Sequence, residues 1–131
     1  MRKLIFVTAL LLFAGIAFSQ NKADIERNKK VATIYHKLDP NDIDNILAVD
    51  FKGHTNELNW TRDDHRQYWS NNKAEDKIVY MVAENDMVAV KFIRTWNSVS
   101  SDVMQFMRFK DGKIIEIWEL FNQSQLESQG E

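Results

Sequence analysis

Apolar residues follow helical spacing in the first half of the chain. Over residues 24–38 they recur every three or four positions, which predicts an amphipathic helix that begins near Asp24. The residue before a proline disfavours helical geometry, so this helix should end before Pro40. The apolar face of the predicted helix consists of Ile25, Val31, Ile34, Tyr35 and Leu38.

Two shorter helices are expected after Pro40. Residues 42–49 have the spacing of a second helix, and residues 51–55 are typical of a short extended segment. Thr61 is predicted to begin a third helix over residues 61–72, because a threonine hydroxyl accepts a hydrogen bond from the first helical turn.

The hydrophobic period changes from helical to two residues after Lys73, which indicates strands. The predicted strands cover 77–84, 87–96, 102–109 and 113–121. Asp111-Gly112 is typical of a tight hairpin turn, and residues 97–101 are expected to form a polar loop. Helices followed by consecutive antiparallel strands predict an α+β domain, with three helices packed on one face of a curved, mostly antiparallel sheet.

Residues 1–19 have the features of a secretory signal peptide. Arg2 and Lys3 precede the apolar segment 4–18, and Ala17-Phe18-Ser19 is typical of a cleavage site. The apolar segment is shorter than the roughly 20 residues that a membrane-spanning helix needs. We therefore expect cleavage near Ser19, a mature domain over residues 20–131, and a periplasmic or secreted protein that does not stay in the membrane.

Composition excludes several function classes. The chain has 131 residues and a formal net charge of −2, so a basic surface for nucleic acid is not expected. It has no cysteine, which excludes disulfides and thiolate metal sites. The histidines His36, His54 and His65 lack the spacing of metal ligands, and no glycine-rich phosphate loop is present. The sequence therefore predicts neither a metal nor a cofactor.

Four segments carry a resemblance to a known family. They are Ile34–Leu38 with Asp42–Asp44, Asp50–His54, Val82–Val90 and Arg108–Glu119. Their order resembles the cone-shaped fold of the nuclear transport factor 2-like superfamily, and within it the SnoaL-like polyketide cyclases. The resemblance implies a pocket between the helices and the concave sheet face. It leaves the reaction open, because this superfamily includes isomerases, cyclases, hydrolases and non-catalytic binding domains.

The resemblance implies that Glu119 is a pocket carboxylate that acts as general acid or base. Alternation places it on one face with Ile115, Ile117 and Phe121, and places Ile114 on the opposite face. A carboxyl among apolar neighbours should have a raised pKa, which suits proton transfer.

His54 matches a histidine that the family carries in its Phe-x-Gly-His segment. It is either a second catalytic group or a structural histidine bonded to the backbone.

Further ligand-binding residues are expected on the walls of the pocket. Tyr35 and Trp69 occupy helical positions that wall it, and they are equally compatible with core packing. Gln105 and Met107 share one face of their strand. The resemblance places Gln105 where ketosteroid isomerases hold an acidic hydrogen-bond donor. A glutamine amide donates a hydrogen bond but does not share a proton.

The direction of Arg94 stays open at this point. If it faces the pocket with Val88, Val90 and Phe92, it could hold a carboxylate or an enolate. The family register favours the outward orientation, in which a Val/Phe/Trp surface joined by Trp118 would form a dimer interface.

Three functions remain. The leading prediction is an exported domain that binds a small, largely apolar molecule. The second is an enzyme that uses Glu119 and His54 for proton transfer, and the third is a non-catalytic dimeric interaction domain. A homodimer through the outer sheet face is expected.

Overall fold

The computed structural model describes residues 21–56 and 58–121. Helix α1 covers residues 21–35 and is followed by a short 3₁₀ helix, Pro40–Asp42. Helix α2 is a single turn, Ile43–Ile46, and helix α3 covers Arg62–Asn71. None of the helices in the described ranges is long and apolar enough to cross a membrane.

Six strands form one sheet in the order β2-β1-β6-β5-β4-β3. Neighbouring strands are antiparallel except β1 and β6, which are parallel. The α+β class predicted from the sequence is confirmed. The strands are β1 Leu47–Thr55, β2 Leu58–Trp60, β3 Glu75–Glu84, β4 Met87–Trp96, β5 Val99–Lys110 and β6 Lys113–Phe121.

Helix α1 differs from its prediction in extent and rotation. It is already helical at residue 21, so Asp24 does not begin it. It ends at residue 35 through hydrogen bonds from Lys37 to Ile34 and from Leu38 to Tyr35, which tighten the last turn. Its buried face consists of Asn28, Ala32 and Tyr35 and continues into His36 of the following turn. Because Asn28 and His36 are polar, a face defined by apolar residues alone did not include them.

The starts of two strands, β1 and β5, were also predicted wrongly. The segment 42–49 is helical only to Ile46, and Leu47 already belongs to β1. The loop expected over 97–101 is a two-residue turn, because Asn97 and Ser98 both adopt positive φ and return the chain at once.

Strand β6 contains an irregularity that changes the predicted faces. The pairing register with β5 shifts between Arg108–Glu116 and Phe109–Ile114, so one extra residue is accommodated near Ile115. Ile114 is therefore fully buried on the core side together with Ile117, and its predicted outward position is wrong. Glu119 keeps its predicted face because the irregularity precedes it.

The core lies between the helices and the inner face of the sheet. Helix α3 packs Trp69 into this core. It begins at the predicted cap, Thr61, whose hydroxyl and backbone both pair with Asp64. The helices pack directly on the sheet at one end, and a cavity lies between them and the sheet at the other end. The core residues contributed by the strands include Val88, Val90, Phe92, Val103, Met107, Phe109, Ile114 and Ile117.

Candidate functional site

A pocket of about 170 Å³ opens between the helices and the inner face of the sheet. Helix α1 contributes Tyr35 to its wall, and α3 contributes His65, Tyr68 and Trp69. The end of β1, with β2, supplies the rim. The other residues that line it are Gly53, His54, Thr55, Trp60, Arg94, Ile117, Glu119 and Phe121.

Strand β4 turns Arg94 into this pocket. Val88, Val90 and Phe92 alternate with it along the strand and are fully buried, so they share the inner face with Arg94. The outward orientation that the family register favoured is wrong. Val88, Val90 and Phe92 are buried in the core, so they are not available for the dimer surface expected with that orientation.

Asp76 fixes the position of the Arg94 side chain through two hydrogen bonds. Arg94 Nε and Nη2 donate to the two carboxylate oxygens of Asp76 at 2.7 and 2.8 Å. His36 Nδ1 donates to the same carboxylate at 2.9 Å. Burial alone would raise the pKa of Asp76, but the hydrogen bonds from Arg94 and His36 outweigh burial and lower it. Asp76 is therefore an ionised anchor that fixes the guanidinium plane.

Glu119 lies beside the Asp76–Arg94 pair, but its pKa is shifted in the opposite direction to that of Asp76. Its Oε1 accepts a hydrogen bond from Arg94 Nη1 at 3.2 Å. Burial raises the pKa of Glu119; the attraction of Arg94 opposes this rise, and the negative charge of Asp76 adds to it. Arg94 is also paired with Asp76, and the net effect of burial and of these two charges is a raised pKa of Glu119.

Gln105 lies behind the pocket lining and is hydrogen-bonded to Glu119. Its Nε2 donates to Glu119 Oε2, while its buried Oε1 has no hydrogen-bond partner in the described part of the chain. A turn of this amide by half a revolution would present Oε1 to a protonated Glu119. Gln105 and Met107 are fully buried and do not line the cavity, so neither meets a ligand directly in this arrangement.

Tyr35 and His65, on the helical wall of the pocket, are hydrogen-bonded to each other, and the donor and the acceptor of this bond can be assigned. Burial lowers the pKa of His65 to about 4, so its ring is neutral at pH 7. Its Nδ1 lies 3.2 Å from the carbonyl oxygen of Thr61 and must donate there. Nε2 therefore accepts from the Tyr35 hydroxyl at 3.0 Å. Burial also raises the pKa of Tyr35, which keeps its hydroxyl protonated.

His54 occupies the rim without joining Glu119. Its Nε2 pairs with Glu116 at 2.9 Å and its Nδ1 with Asn59 at 2.9 Å. Its ring is also stacked on Trp118 of the outer face, with 5.7 Å between ring centroids. Both ring nitrogens are engaged, and the groups that touch Glu119 are Arg94 and Gln105 instead.

Several site residues were not predicted from the sequence. Asp76 preceded the predicted strand 77–84, whereas β3 begins at Glu75 and pairs Asp76 with Arg94. Extending the alternation of β3 backward from Ile78 would have placed Asp76 on the inner face. The remaining unpredicted wall residues are Gly53, Thr55, Trp60, His65 and Tyr68. Over the ranges 21–56 and 58–121, no group of three or more histidine or acidic side chains has the geometry of a metal site.

Comparisons with known proteins identify the fold. No protein-family model matches the chain, and no curated protein matches its sequence. Solved structures do match. A protein from Kribbella flavida assigned by name as a ketosteroid isomerase has a TM-score of 0.67 at 17% identity, covering 76% of this chain and 80% of that one.

Two further structures lead to the same result. A SnoaL-like polyketide cyclase by name, from a Jannaschia species, has a TM-score of 0.68 at 10% identity, over 79% of this chain and 91% of that one. A nuclear transport factor 2-like protein of unknown function from Cytophaga hutchinsonii has a TM-score of 0.66 at 12% identity, over 76% and 93%. The nuclear transport factor 2-like fold is confirmed, and SnoaL-like cyclases are among the similar structures.

Proposed function

We propose that this domain binds a small, largely hydrophobic molecule that carries one polar group. The observation that carries the proposal is the pocket itself, in which aromatic walls surround the buried pair Arg94–Glu119. Ligand sites combine apolar walls with a few fixed polar groups in this way. The polar group of the ligand would meet Glu119 or a free N–H of Arg94, and its hydrocarbon part would lie against Trp69 and Ile117.

The size of the pocket limits the part of a ligand that it holds. A cavity of about 150 Å³ accommodates a benzene-sized molecule, and this one measures about 170 Å³. A single six-membered ring is therefore the appropriate probe. Export after cleavage near Ser19 remains part of the proposal, and the segment on which it depends, residues 1–19, lies outside the described residues.

Blocking the rim of the pocket should abolish binding. Thr55 pairs with Glu119 across β1 and β6 and lines the pocket at its edge. An indole introduced by Thr55→Trp would occupy the space that the ligand needs. We expect cyclohexanone to shift the amide resonances of the pocket residues in the wild type, and to cause at least a tenfold smaller response in Thr55→Trp.

Leu120→Trp is the matched control, because it adds the same indole to the exposed face of β6. This variant should bind cyclohexanone as the wild type does. If neither cyclohexanone nor phenol shifts the pocket resonances of the wild type at millimolar concentration, the proposed binding function is wrong.

Proton transfer next to a carbonyl is the second candidate function. The observation that favours it is Glu119, whose carboxyl is buried in the pocket with a pKa raised by burial. A general base works best when its pKa lies near the working pH. Similar structures are named as an isomerase and a cyclase, whose names are consistent with such chemistry. Arg94 would stabilise the enolate oxygen that forms when the proton leaves.

We also propose that the outer face of the sheet pairs with a second copy of this chain. Exposed and partly exposed apolar side chains lie side by side across four strands on this face, and contiguous apolar surface of this kind marks an interface. Its central members are Val82, Phe106 and Trp118, connected through the strand pairs Val82–Ala89, Ala89–Phe106 and Phe106–Trp118.

Charge on this face should separate the copies. Val82 is 67% exposed, so Val82→Lys places an ammonium in the interface without disturbing the core. We expect the wild type to have the mass of a dimer in light scattering at micromolar concentration, and Val82→Lys that of a monomer. Gln67→Lys, on the exposed side of α3, should leave the dimer intact. A monomeric wild type at high concentration would contradict the dimer.

A further inference from the structure

Trp96 lies at the open end of the same strand face that carries Arg94. Residues 92, 94 and 96 of β4 alternate inward, so the strand leads from the buried Phe92, past Arg94, to Trp96 at the mouth. Trp96 is 54% exposed, whereas its neighbours on this face are enclosed. Within the described ranges its indole makes no ring contact or hydrogen bond.

A second cavity, of about 260 Å³, lies in front of Trp96. Three of its lining residues, Tyr68, Arg94 and Phe121, also line the inner pocket, so the two cavities meet at these side chains. Its remaining lining residues include Val99 and Ser101 of β5.

We propose that Trp96 and this outer cavity form a second subsite, which binds the flat apolar or aromatic tail of an elongated ligand. This inference rests on the proposed binding function and specifies its ligand. The polar head would lie against Glu119 and Arg94 in the inner pocket, and the tail would pass between Tyr68 and Phe121 to stack on Trp96. Stacked or edge-to-face aromatic contacts would stabilise such a tail against the indole.

The size of the two cavities supports an elongated ligand. Ligand pockets of proteins measure about 300–1,000 Å³. The inner pocket, at about 170 Å³, is smaller than this range and holds one ring. The adjoining outer cavity measures about 260 Å³, so the two cavities together fall within this range. A molecule with two connected rings would use both.

The position of Trp96 is fixed by its hairpin. Trp96 pairs with Val99 across the two-residue turn, where Asn97 and Ser98 both have positive φ. One residue before Trp96, the hydroxyls of Thr95 and Ser100 are 2.9 Å apart and hydrogen-bonded across the same two strands. A rigid backbone reduces the entropy lost when a ligand is bound, so the hairpin contributes a preorganised main chain at the mouth of the pocket.

Two ketones of different length test the subsite. Cyclohexanone fills only the inner pocket, and 4-phenylcyclohexanone carries the additional ring that would reach Trp96. We expect the wild type to bind the longer ketone about tenfold more tightly, because one aromatic contact and its buried area are gained. Trp96→Ala should remove most of this difference and leave the affinity for cyclohexanone unchanged, whereas Trp96→Phe should retain most of it.

Leu120→Ala, on the outer face, is the control and should change neither affinity. If the wild type binds cyclohexanone but binds 4-phenylcyclohexanone no more tightly, the subsite is wrong and the inner pocket stands. The same conclusion follows if Trp96→Ala weakens both ketones equally. If neither ketone binds, the proposed binding function and the subsite are both overturned.

Discussion

Replacing Asp76 by asparagine is expected to lower the free energy of unfolding by about 3–5 kcal/mol, the usual cost of breaking a buried ion pair. The Asp76 side chain is fully buried and accepts hydrogen bonds from Arg94 and His36. Asparagine retains the shape but removes the charge, so the largely buried guanidinium of Arg94 loses its main counter-ion. Urea unfolding at pH 7, followed by circular dichroism, measures the change.

Glu119→Gln is the matched control for this loss. It also removes a buried carboxylate that contacts Arg94, but it leaves the bidentate pair with Asp76 intact. The unpartnered Oε1 of Gln105 can accept a hydrogen bond from the new amide after Gln105 turns. We expect a change of less than about 1 kcal/mol. An Asp76→Asn protein as stable as Glu119→Gln would show that the Asp76–Arg94 pair does not stabilise the fold.

The two carboxyls should affect stability in opposite directions as the pH changes. The pKa of Asp76 is lowered by folding, so its contribution is present above the unfolded pKa and is lost as pH falls through the folded value. The pKa of Glu119 is raised by folding, so its contribution is complete below the unfolded value near 4.5 and is lost as pH rises through the folded value. Relative to Glu119→Gln, the wild type should therefore lose stability as pH rises above 4.5.

Local features of the fold could be predicted from the sequence because their causes are local. Thr61 begins α3 through hydrogen bonds to Asp64, three residues away. Asp111 and Gly112 form the predicted turn with positive φ. Glu119 faces the pocket because simple alternation holds over the last residues of β6. Ile114 was predicted on the wrong face because an extra residue in a strand depends on its partner's register.

The centre of the site could not be predicted because it depends on contacts between distant segments. The ion pair Asp76–Arg94 exists only when β3 and β4 pair in this register. His36 reaches Asp76 across 40 residues of sequence, from the turn that follows helix α1. Arg94 was ambiguous because both faces of β4 carry apolar residues. The pKa of Glu119 depends on the charges of Arg94 and Asp76, and therefore on the same pairing of distant segments.

The exchange of protons next to a carbonyl should decide whether Glu119 performs chemistry. In this reaction a Glu119 oxygen removes a proton from the carbon beside the ketone. The C–H electrons form the C=C bond of an enolate, whose oxygen accepts a hydrogen bond from Arg94. A deuteron from the solvent then returns to the carbon. We expect Glu119→Gln to slow deuterium incorporation into cyclohexanone by about 10²- to 10⁴-fold, the usual contribution of a general base. Proton NMR in D₂O measures the rate.

Glu116→Gln provides the matched control, because Glu116 is a carboxylate of the same strand that faces outward to His54 and Arg108. This variant should exchange at the wild-type rate, since it leaves Arg94 and Glu119 untouched. The near-native stability expected for Glu119→Gln means that a lost rate reports the lost base and not a lost fold. Equal exchange rates in the wild type and Glu119→Gln would exclude Glu119 as the base. A wild-type rate no faster than buffer would leave binding without proton transfer as the function of the pocket.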